Sequence, residues 1–131
     1  MIMLHTDTCV FLIRKHPFFL ERYLSHANEP IAISLIVFYE LKLGIQLNRI
    51  SKKWQQATRE FLGAVHVVDF SANAASIAGE LQARRTKEGK RIGVEDAFIA
   101  AHAISLNSVL VTANTKHFEG TPGLQLADWS K

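Results

Sequence analysis

The chain has 131 residues, of which 48% are hydrophobic and 21% charged, and its formal net charge at pH 7 is +3. That length and composition exclude a disordered chain and predict one domain, residues 1–131, with its own core. The apolar runs are too short to span a membrane, for which roughly 20 residues are needed, and no basic and apolar leader precedes Asp7. We therefore expect a cytoplasmic protein with no membrane partner. The single cysteine, Cys9, excludes an internal disulfide and a multi-cysteine zinc site, and is expected to be buried.

Short apolar runs of strand length alternate along the chain with longer segments of helical spacing. Strands are expected at residues 2–6, 31–34, 66–70 and 108–112, with a last edge strand at 124–127. Helices are expected after Asp7, from Pro17, and over residues 34–47, 51–64, 74–85 and 93–107, with Asp69 or Ser71 as the cap of the helix over 74–85. Because this alternation is typical of parallel sheets, the sequence predicts an α/β fold.

Four polar residues stand beside these segments, where their side chains can reach one edge of the sheet. Asp7 closes the first apolar run, Glu40 lies within the third predicted helix, and Asn114 follows the fourth run. Asp96 opens an Ala-rich helix, although periodicity alone leaves open whether Asp96 or Glu95 faces inward. Ligands bind beyond the carboxyl ends of parallel strands, and oxygen ligands suit hard cations. The sequence therefore predicts a site for Mg²⁺ or Mn²⁺ at Asp7, Glu40, Asp96 and Asn114.

Five basic residues crowd into eight positions immediately before the segment that carries Asp96: Arg84, Arg85, Lys87, Lys90 and Arg91. A charge run of this kind is often only a solvated surface. Beside an acidic, metal-loaded centre it can instead bind the phosphates of a nucleic acid. Both interpretations stay open from the sequence.

The residues favour hydrolysis by a metal-activated water over a protein nucleophile. Cys9 has no evident activating partner, the six histidines lack zinc-ligand spacing, and His102 lies on an apolar stripe typical of the core. Three carboxylates a few ångströms apart repel one another, so we expect their pKa values to rise unless a cation neutralises them. A bound Mg²⁺ supplies that charge and can activate the attacking water.

Taken in order, four motifs resemble the PIN-domain ribonucleases, above all the VapC toxins of bacterial toxin-antitoxin pairs. They are Asp7-Thr8 after an apolar strand, Ser34 six residues before Glu40-Leu41, Gly93-x-x-Asp96-x-x-Ile99-Ala100-Ala101-His102-Ala103, and Val111-Thr112-x-Asn114-Thr115-x-x-Phe118. The likeness covers essentially the whole chain. It implies a PIN-like α/β/α sandwich with a central parallel sheet flanked by helices.

The same resemblance implies a Mg²⁺-dependent endoribonuclease that forms homodimers and is inhibited by a VapB-like antitoxin. Asp7, Glu40 and Asp96 match the acidic metal-binding triad of the family, which selects Asp96 over Glu95, and Asn114 matches a fourth polar position. Which RNA is cut stays open, since transfer, ribosomal and messenger RNA all offer single-stranded loops.

Two other functions remain as alternatives. A receiver-like signalling domain would accept phosphate on Asp69, with Thr112 and Lys116 as its switch, but it gives Glu40 no role. A non-catalytic PIN scaffold would only bind a partner, and the complete set of acids argues against it. A titration with divalent metal separates the three, because a nuclease needs the ion to cut, a receiver needs it to accept phosphate, and a scaffold needs neither.

Overall fold

A five-stranded parallel sheet lies at the centre of the computed structural model, which describes residues 1–131. Its strands are β1 (Ile2–Leu4), β2 (Ile31–Ser34), β3 (His66–Val68), β4 (Val109–Val111) and β5 (Gln125–Ala127). They lie in the order β3-β2-β1-β4-β5, and every pairing is parallel. The predicted parallel sheet is thus confirmed, with β1 in the middle and β5 at one edge.

Seven helices flank the sheet, as predicted for an α/β/α sandwich. They are α1 (Thr6–Ile13), α2 (Pro17–Ser25), α3 (Leu35–Gln46), α4 (Lys52–Ala64), α5 (Ala72–Lys87), α6 (Val94–Ser105) and α7 (Thr115–Phe118). Local chemistry sets several of their starts. Pro17, whose ring fixes a helical φ, is the first residue of α2, and Ser34 caps α3 by accepting the Ile36 N–H at 3.1 Å. None of these helices is long and apolar enough to cross a membrane.

The junction between β1 and α1 differs from the prediction by two residues. β1 ends at Leu4, and α1 begins at Thr6, so Asp7 lies in the first turn of the helix and does not close the strand. The residue between the two elements is His5, the N-cap of α1, whose Nδ1 lies 3.3 Å from the Asp7 backbone nitrogen. The residue that directly follows the strand is therefore a histidine.

Smaller differences occur around β3 and α5. β3 ends at Val68 and not at residue 70, because the chain turns towards the next helix. Of the two candidate caps, Ser71 caps α5 by accepting the Ala74 N–H at 3.1 Å, so Asp69 does not.

Small side chains on α6 bring this helix close to the sheet and to α5. Ala100 and Ala103 are fully buried, and α5 and α6 pack along each other.

Cys9 is also fully buried, as predicted, in a core cluster of 21 residues that includes the whole of β1. His102 is buried too, and its Nδ1 lies 2.8 Å from the Ser34 Oγ, so a hydrogen bond joins α6 to the cap of α3.

Candidate active site

Asp96 lies at the centre of a group of polar side chains at the carboxyl end of the sheet. It occupies the first turn of α6, where the helix dipole favours a carboxylate. One of its oxygens, Oδ1, is 2.8 Å from the His5 Nε2, and the other, Oδ2, is 2.9 Å from the His117 Nε2. The end of β1 and helix α7 thus each direct an imidazole at the same carboxylate. The neighbouring Glu95 is exposed, so Asp96 is the acid that faces the centre.

Asp7 fixes the start of α1 to the end of β4. Its Oδ2 accepts the Thr112 hydroxyl at 2.8 Å, and the Ala113 N–H is 3.2 Å and 3.3 Å from its two oxygens. The Thr8 hydroxyl donates to Oδ1 at 3.0 Å. Oδ1 also lies 3.3 Å from the His5 Nδ1. Asp7 therefore holds the His5 ring between two carboxylates, its own and that of Asp96.

Glu40 enters the site from α3 and is held by Thr6. The Thr6 hydroxyl donates to the Glu40 Oε1 at 2.7 Å. Burial raises the pKa of Glu40, and the negative charges of Asp96 and Glu95 add to that effect, against the opposing influence of Thr6 and His5. Its proton affinity is therefore higher than that of an ordinary glutamate.

The expectation that all three acids show raised pKa values without a cation is wrong for Asp7 and Asp96. Burial raises the pKa of each, but hydrogen bonds and the positive charge of His5 outweigh it, so the net pKa of both is lowered. Burial conversely lowers the pKa of His5, and the hydrogen bonds and charges of Asp7 and Asp96 raise it to about 9. The protonated ring of His5 therefore supplies part of the positive charge that was expected from a metal ion.

The Asn114 side chain forms no hydrogen bond with the acids. It is exposed, it precedes α7 as the cap residue without a side-chain capping bond, and its backbone N–H donates to the Thr112 Oγ1 at 3.1 Å. In addition, no three acidic, histidine or cysteine side chains surround a common point as metal ligands do. The roles of Asp7, Glu40, Asp96 and Asn114 as metal ligands stay predictions.

His5 and His117 are the residues of this centre that the sequence analysis did not identify. A search for histidines at zinc-ligand spacing misses them, because each meets Asp96 across a large separation in the chain. The available signal was position: His5 lies two residues before Asp7, and His117 follows shortly after Asn114.

The basic cluster adjoins this centre, and one of its members has an internal role. Arg85 donates from Nε to the Lys90 carbonyl at 2.8 Å and from Nη2 to the His117 carbonyl at 3.4 Å. It thereby ties the loop after α5 to α7. Arg84, whose Nε is 3.8 Å from the Glu88 Oε2, is exposed, as are Lys87, Lys90 and Arg91.

We expect the free energy of unfolding of the metal-free protein to fall as pH rises from about 6.5 to about 9. The pKa of His5 is about 9 in the folded chain against the ordinary 6.5. Folding therefore favours its protonated form, a contribution fully present below pH 6.5 and lost as pH passes 9. A difference of this size corresponds to at most about 3 kcal/mol. Urea denaturation in EDTA at several pH values measures it.

The control for this pH effect is His5→Asn, because asparagine keeps a capping oxygen for α1 but does not titrate. Its stability should change less than that of the wild type between pH 6.5 and 9. Equal pH dependence in the two proteins would mean that His5 is not the titrating group.

Comparison with known proteins extends over nearly the whole chain. The family model described as PIN domain matches residues 4–124. Ribonuclease VapC2 of Rickettsia felis is 39% identical, with 98% of each chain covered. The tRNA(fMet)-specific endonuclease VapC of Shigella flexneri is 30% identical over 98% of this chain and 97% of its own.

Solved structures of similar proteins also match nearly the whole chain. One is VapBC2 from Rickettsia felis bound to a DNA fragment from their promoter, with a TM-score of 0.89 and 39% identity over 98% of this chain and 99% of that one. Another is DNA-bound VapBC from Salmonella typhimurium, with a TM-score of 0.88 and 32% identity over 98% of this chain and 97% of that one.

Proposed function

This chain belongs to the PIN domain family, and we propose that it is an endoribonuclease toxin that hydrolyses RNA phosphodiester bonds and is neutralised by a VapB-like antitoxin. The proposal rests on one observation: the carboxylates of Asp96 and Asp7 both contact the His5 ring, and Thr6 holds Glu40 nearby by a hydrogen bond. Relatives named as a ribonuclease and as a tRNA-specific endonuclease, matched over nearly their full length, support RNA as the substrate. Solved VapBC complexes support an antitoxin partner. A homodimer is part of the same proposal.

We further propose that cleavage depends on a divalent cation, Mg²⁺ or Mn²⁺. The charge balance of the centre supports a cation, since the carboxylates of Asp7 and Asp96 raise the pKa of His5 and the negative charge of Asp96 also reaches Glu40. Asp7, Glu40, Asp96 and Asn114 are the predicted ligands of the ion. When bound, such an ion would polarise the phosphodiester and lower the pKa of an attacking water.

The side chains of the centre have separate tasks in this proposal. Thr6 orients Glu40, whose raised pKa makes it a better proton acceptor for an attacking water than an ordinary glutamate. Asp7 holds the loop after β4 against α1 and contacts the far side of the His5 ring that bonds Asp96. His5 and His117 orient the carboxylate of Asp96 by bonding both of its oxygens.

Cleavage of purified RNA in the presence and absence of EDTA tests the proposal. The protein, incubated separately with transfer, ribosomal and messenger RNA, should cut within a single-stranded loop of one of them, and mapping of the new RNA ends identifies the site. EDTA should stop the reaction, and co-purified antitoxin should inhibit it. Failure to cut any RNA in Mg²⁺ or Mn²⁺ would contradict the proposed activity, and cutting in EDTA would contradict the metal dependence.

The receiver alternative loses support from the structure. Thr112, its proposed switch residue, is fully buried and donates its hydroxyl to Asp7. A small phosphodonor should therefore leave Asp69 unmodified.

The exposed members of the basic cluster are expected to bind RNA phosphates. Replacing Lys87, Lys90 and Arg91 with alanine should flatten the slope of log K against log salt by about 2, at roughly 0.7 per phosphate contact on a single strand. Arg85 is left in place because it is bonded to the Lys90 and His117 carbonyls. Binding is measured in an Asp96→Asn background, which prevents cleavage.

A matched control removes three exposed cations from α4 and the turn after α1, namely Lys15, Lys52 and Arg59. It changes the net charge by the same amount and should alter the salt slope less. If both triple variants have the same slope, the cluster acts only through net charge and is a solvated surface.

A further inference from the structure

We propose that a cleft between α1, α3 and α4, beside the candidate active site, binds one nucleobase of the RNA substrate. The inference deepens the proposed function and rests on it for the identity of the substrate. It gives a task to three lining residues that the centre does not use, namely Arg14, Gly44 and Trp54. Occupation of the cleft is measurable without cleavage.

The first argument is that the cleft is continuous with the candidate active site. Thr6 and Glu40, which are joined by a hydrogen bond of 2.7 Å, are among its lining residues. The rest of the lining is mostly apolar and includes Trp54 of α4. An RNA strand held for hydrolysis beside Glu40 can therefore place an adjacent base in the cleft.

The second argument is the surface that Arg14 and Trp54 form. The Arg14 Cζ lies 5.1 Å from the centroid of the half-buried Trp54 ring, and the Lys53 Nζ lies 4.8 Å from the same centroid. Unpaired RNA bases stack on aromatic rings and on guanidinium planes, and this pair offers both. Arg14 is exposed and enters none of the salt bridges of the chain, so its charge is available to a phosphate.

The third argument is the glycine at position 44. Gly44 lies inside α3, where glycine destabilises a helix relative to alanine. Its φ is not positive, and a Cβ at this position would have no neighbouring heavy atom within 4 Å. Neither backbone conformation nor crowding therefore requires a glycine. Because Gly44 lines the cleft, a large side chain there would occupy space that a base could use.

The size of the cleft favours a single flat group over a longer segment. Its volume is about 150 Å³, below the roughly 300–1,000 Å³ of sites for drug-sized ligands. The competing occupant is an apolar side chain of an antitoxin. The cations beside Trp54 favour RNA, because a nucleobase brings a phosphate with it and an apolar side chain brings no charge.

The test follows the tryptophan indole N–H signals of the ¹⁵N-labelled full chain by NMR while single-stranded RNA hexamers are added. The Asp96→Asn background prevents cleavage. The chain has two tryptophans, and Trp129, which is 2% exposed, is the internal reference for Trp54. The probes are hexamers of adenine, of cytosine, of uracil and of alternating guanine and uracil, together with an abasic hexamer that keeps the phosphates.

We expect the adenine hexamer to shift the Trp54 signal and to leave that of Trp129 in place. The uracil hexamer should bind more weakly, because preferences of this kind follow stacking strength and a purine has the larger face. The abasic hexamer should leave the Trp54 signal unshifted, since it has no base to enter the cleft.

Variants in the same background locate the contact. Gly44→Leu, which fills the cleft, and Trp54→Leu, which removes the ring and thereby assigns its signal, should each weaken adenine hexamer binding about fivefold or more. The melting temperature of Gly44→Leu should not fall, because leucine favours a helix more than glycine does, so this variant keeps the test valid if Trp54→Leu does not fold. Gly79→Leu makes the same change at an exposed position inside α5 and should leave binding unchanged.

A Trp54 signal that no RNA hexamer shifts, an equal shift with the abasic hexamer, or full binding in Gly44→Leu would each overturn the proposal. A shift caused by co-purified antitoxin and by no RNA would assign the cleft to the protein partner instead. The outcome is separable from the proposed activity. If a base binds at Trp54 but no RNA is cut, the cleft stands and the activity fails. If Gly44→Leu, on an otherwise unchanged chain, cuts RNA as well as the wild type and no hexamer shifts Trp54, the activity stands and the cleft fails.

Discussion

Asp96→Asn is expected to lower the rate of RNA cleavage by about 100-fold or more while the chain remains folded. The substitution keeps the size of the side chain but removes the charge on which His5 and His117 converge. Loss of one preorganised electrostatic group in an active site typically costs 10²–10³ in rate. Single-turnover cleavage of the identified RNA measures the effect, and circular dichroism verifies the fold.

Glu95→Gln is the matched control for this prediction. It removes the same charge from the adjacent position of α6, and the exposed Glu95 acts on the centre only through the effect of its charge on Glu40. Its cleavage rate should stay within a few-fold of the wild type. Equal losses in the two variants would point to the net charge of the helix end, and full activity of Asp96→Asn would remove Asp96 from the active site.

The structure also predicts whether Asp96→Asn raises or lowers the stability of the metal-free chain. The pKa of Asp96 is lowered in the metal-free chain, because hydrogen bonds and charge from His5 and His117 outweigh its burial. The ionised carboxylate is therefore stabilised and not strained. Asp96→Asn should lower the melting temperature in EDTA, which is the opposite of what simple repulsion between three acids would give.

Phe118→Ala is expected to produce the largest loss of stability, about 3–5 kcal/mol. The side chain is among the largest of those that are fully buried, and its removal leaves a cavity behind His5 and His117. For a chain of this size the melting temperature should fall by roughly 10 °C or more. Urea denaturation measures the free energy, and cleavage assayed at low temperature shows whether the folded variant has lost the alignment of its imidazoles.

The control is Phe18→Ala, since Phe18 is 57% exposed on α2. Removal of a mostly exposed ring should cost less than about 1 kcal/mol. If Phe118→Ala costs no more than this control, the ring does not support the site in the way that its packing indicates.

The sequence predicted the elements of this fold better than the contacts between them. Alternating apolar runs identify strands and helices because burial of one face imposes a period on the chain, and all five strands and the six longer helices were predicted on that basis. The end of β1 was misplaced because His5, a residue with no strong capping preference, occupies the N-cap position of α1. Hydrophobic pattern carries no information about such a helix start.

The centre itself was predictable only in part. Position beside an element and family resemblance together indicated Asp96, and the structure places it among the other polar groups. The contacts of His5 and His117 depend on strand order, register and side-chain direction, which no local pattern encodes. The same holds for Arg85, where a charge run gave no sign of a hydrogen bond to the backbone of α7.

The buried hydrogen bond between Ser34 and His102 has a consequence for motion in the molecule. It joins the cap of α3, the helix that carries Glu40, to α6, the helix that carries Asp96. Separating the two helices would leave the buried His102 ring nitrogen without this partner, at a cost of about 1–3 kcal/mol for an unpaired group. Relative motion of these two acids is therefore restrained by a bond that lies outside the centre itself.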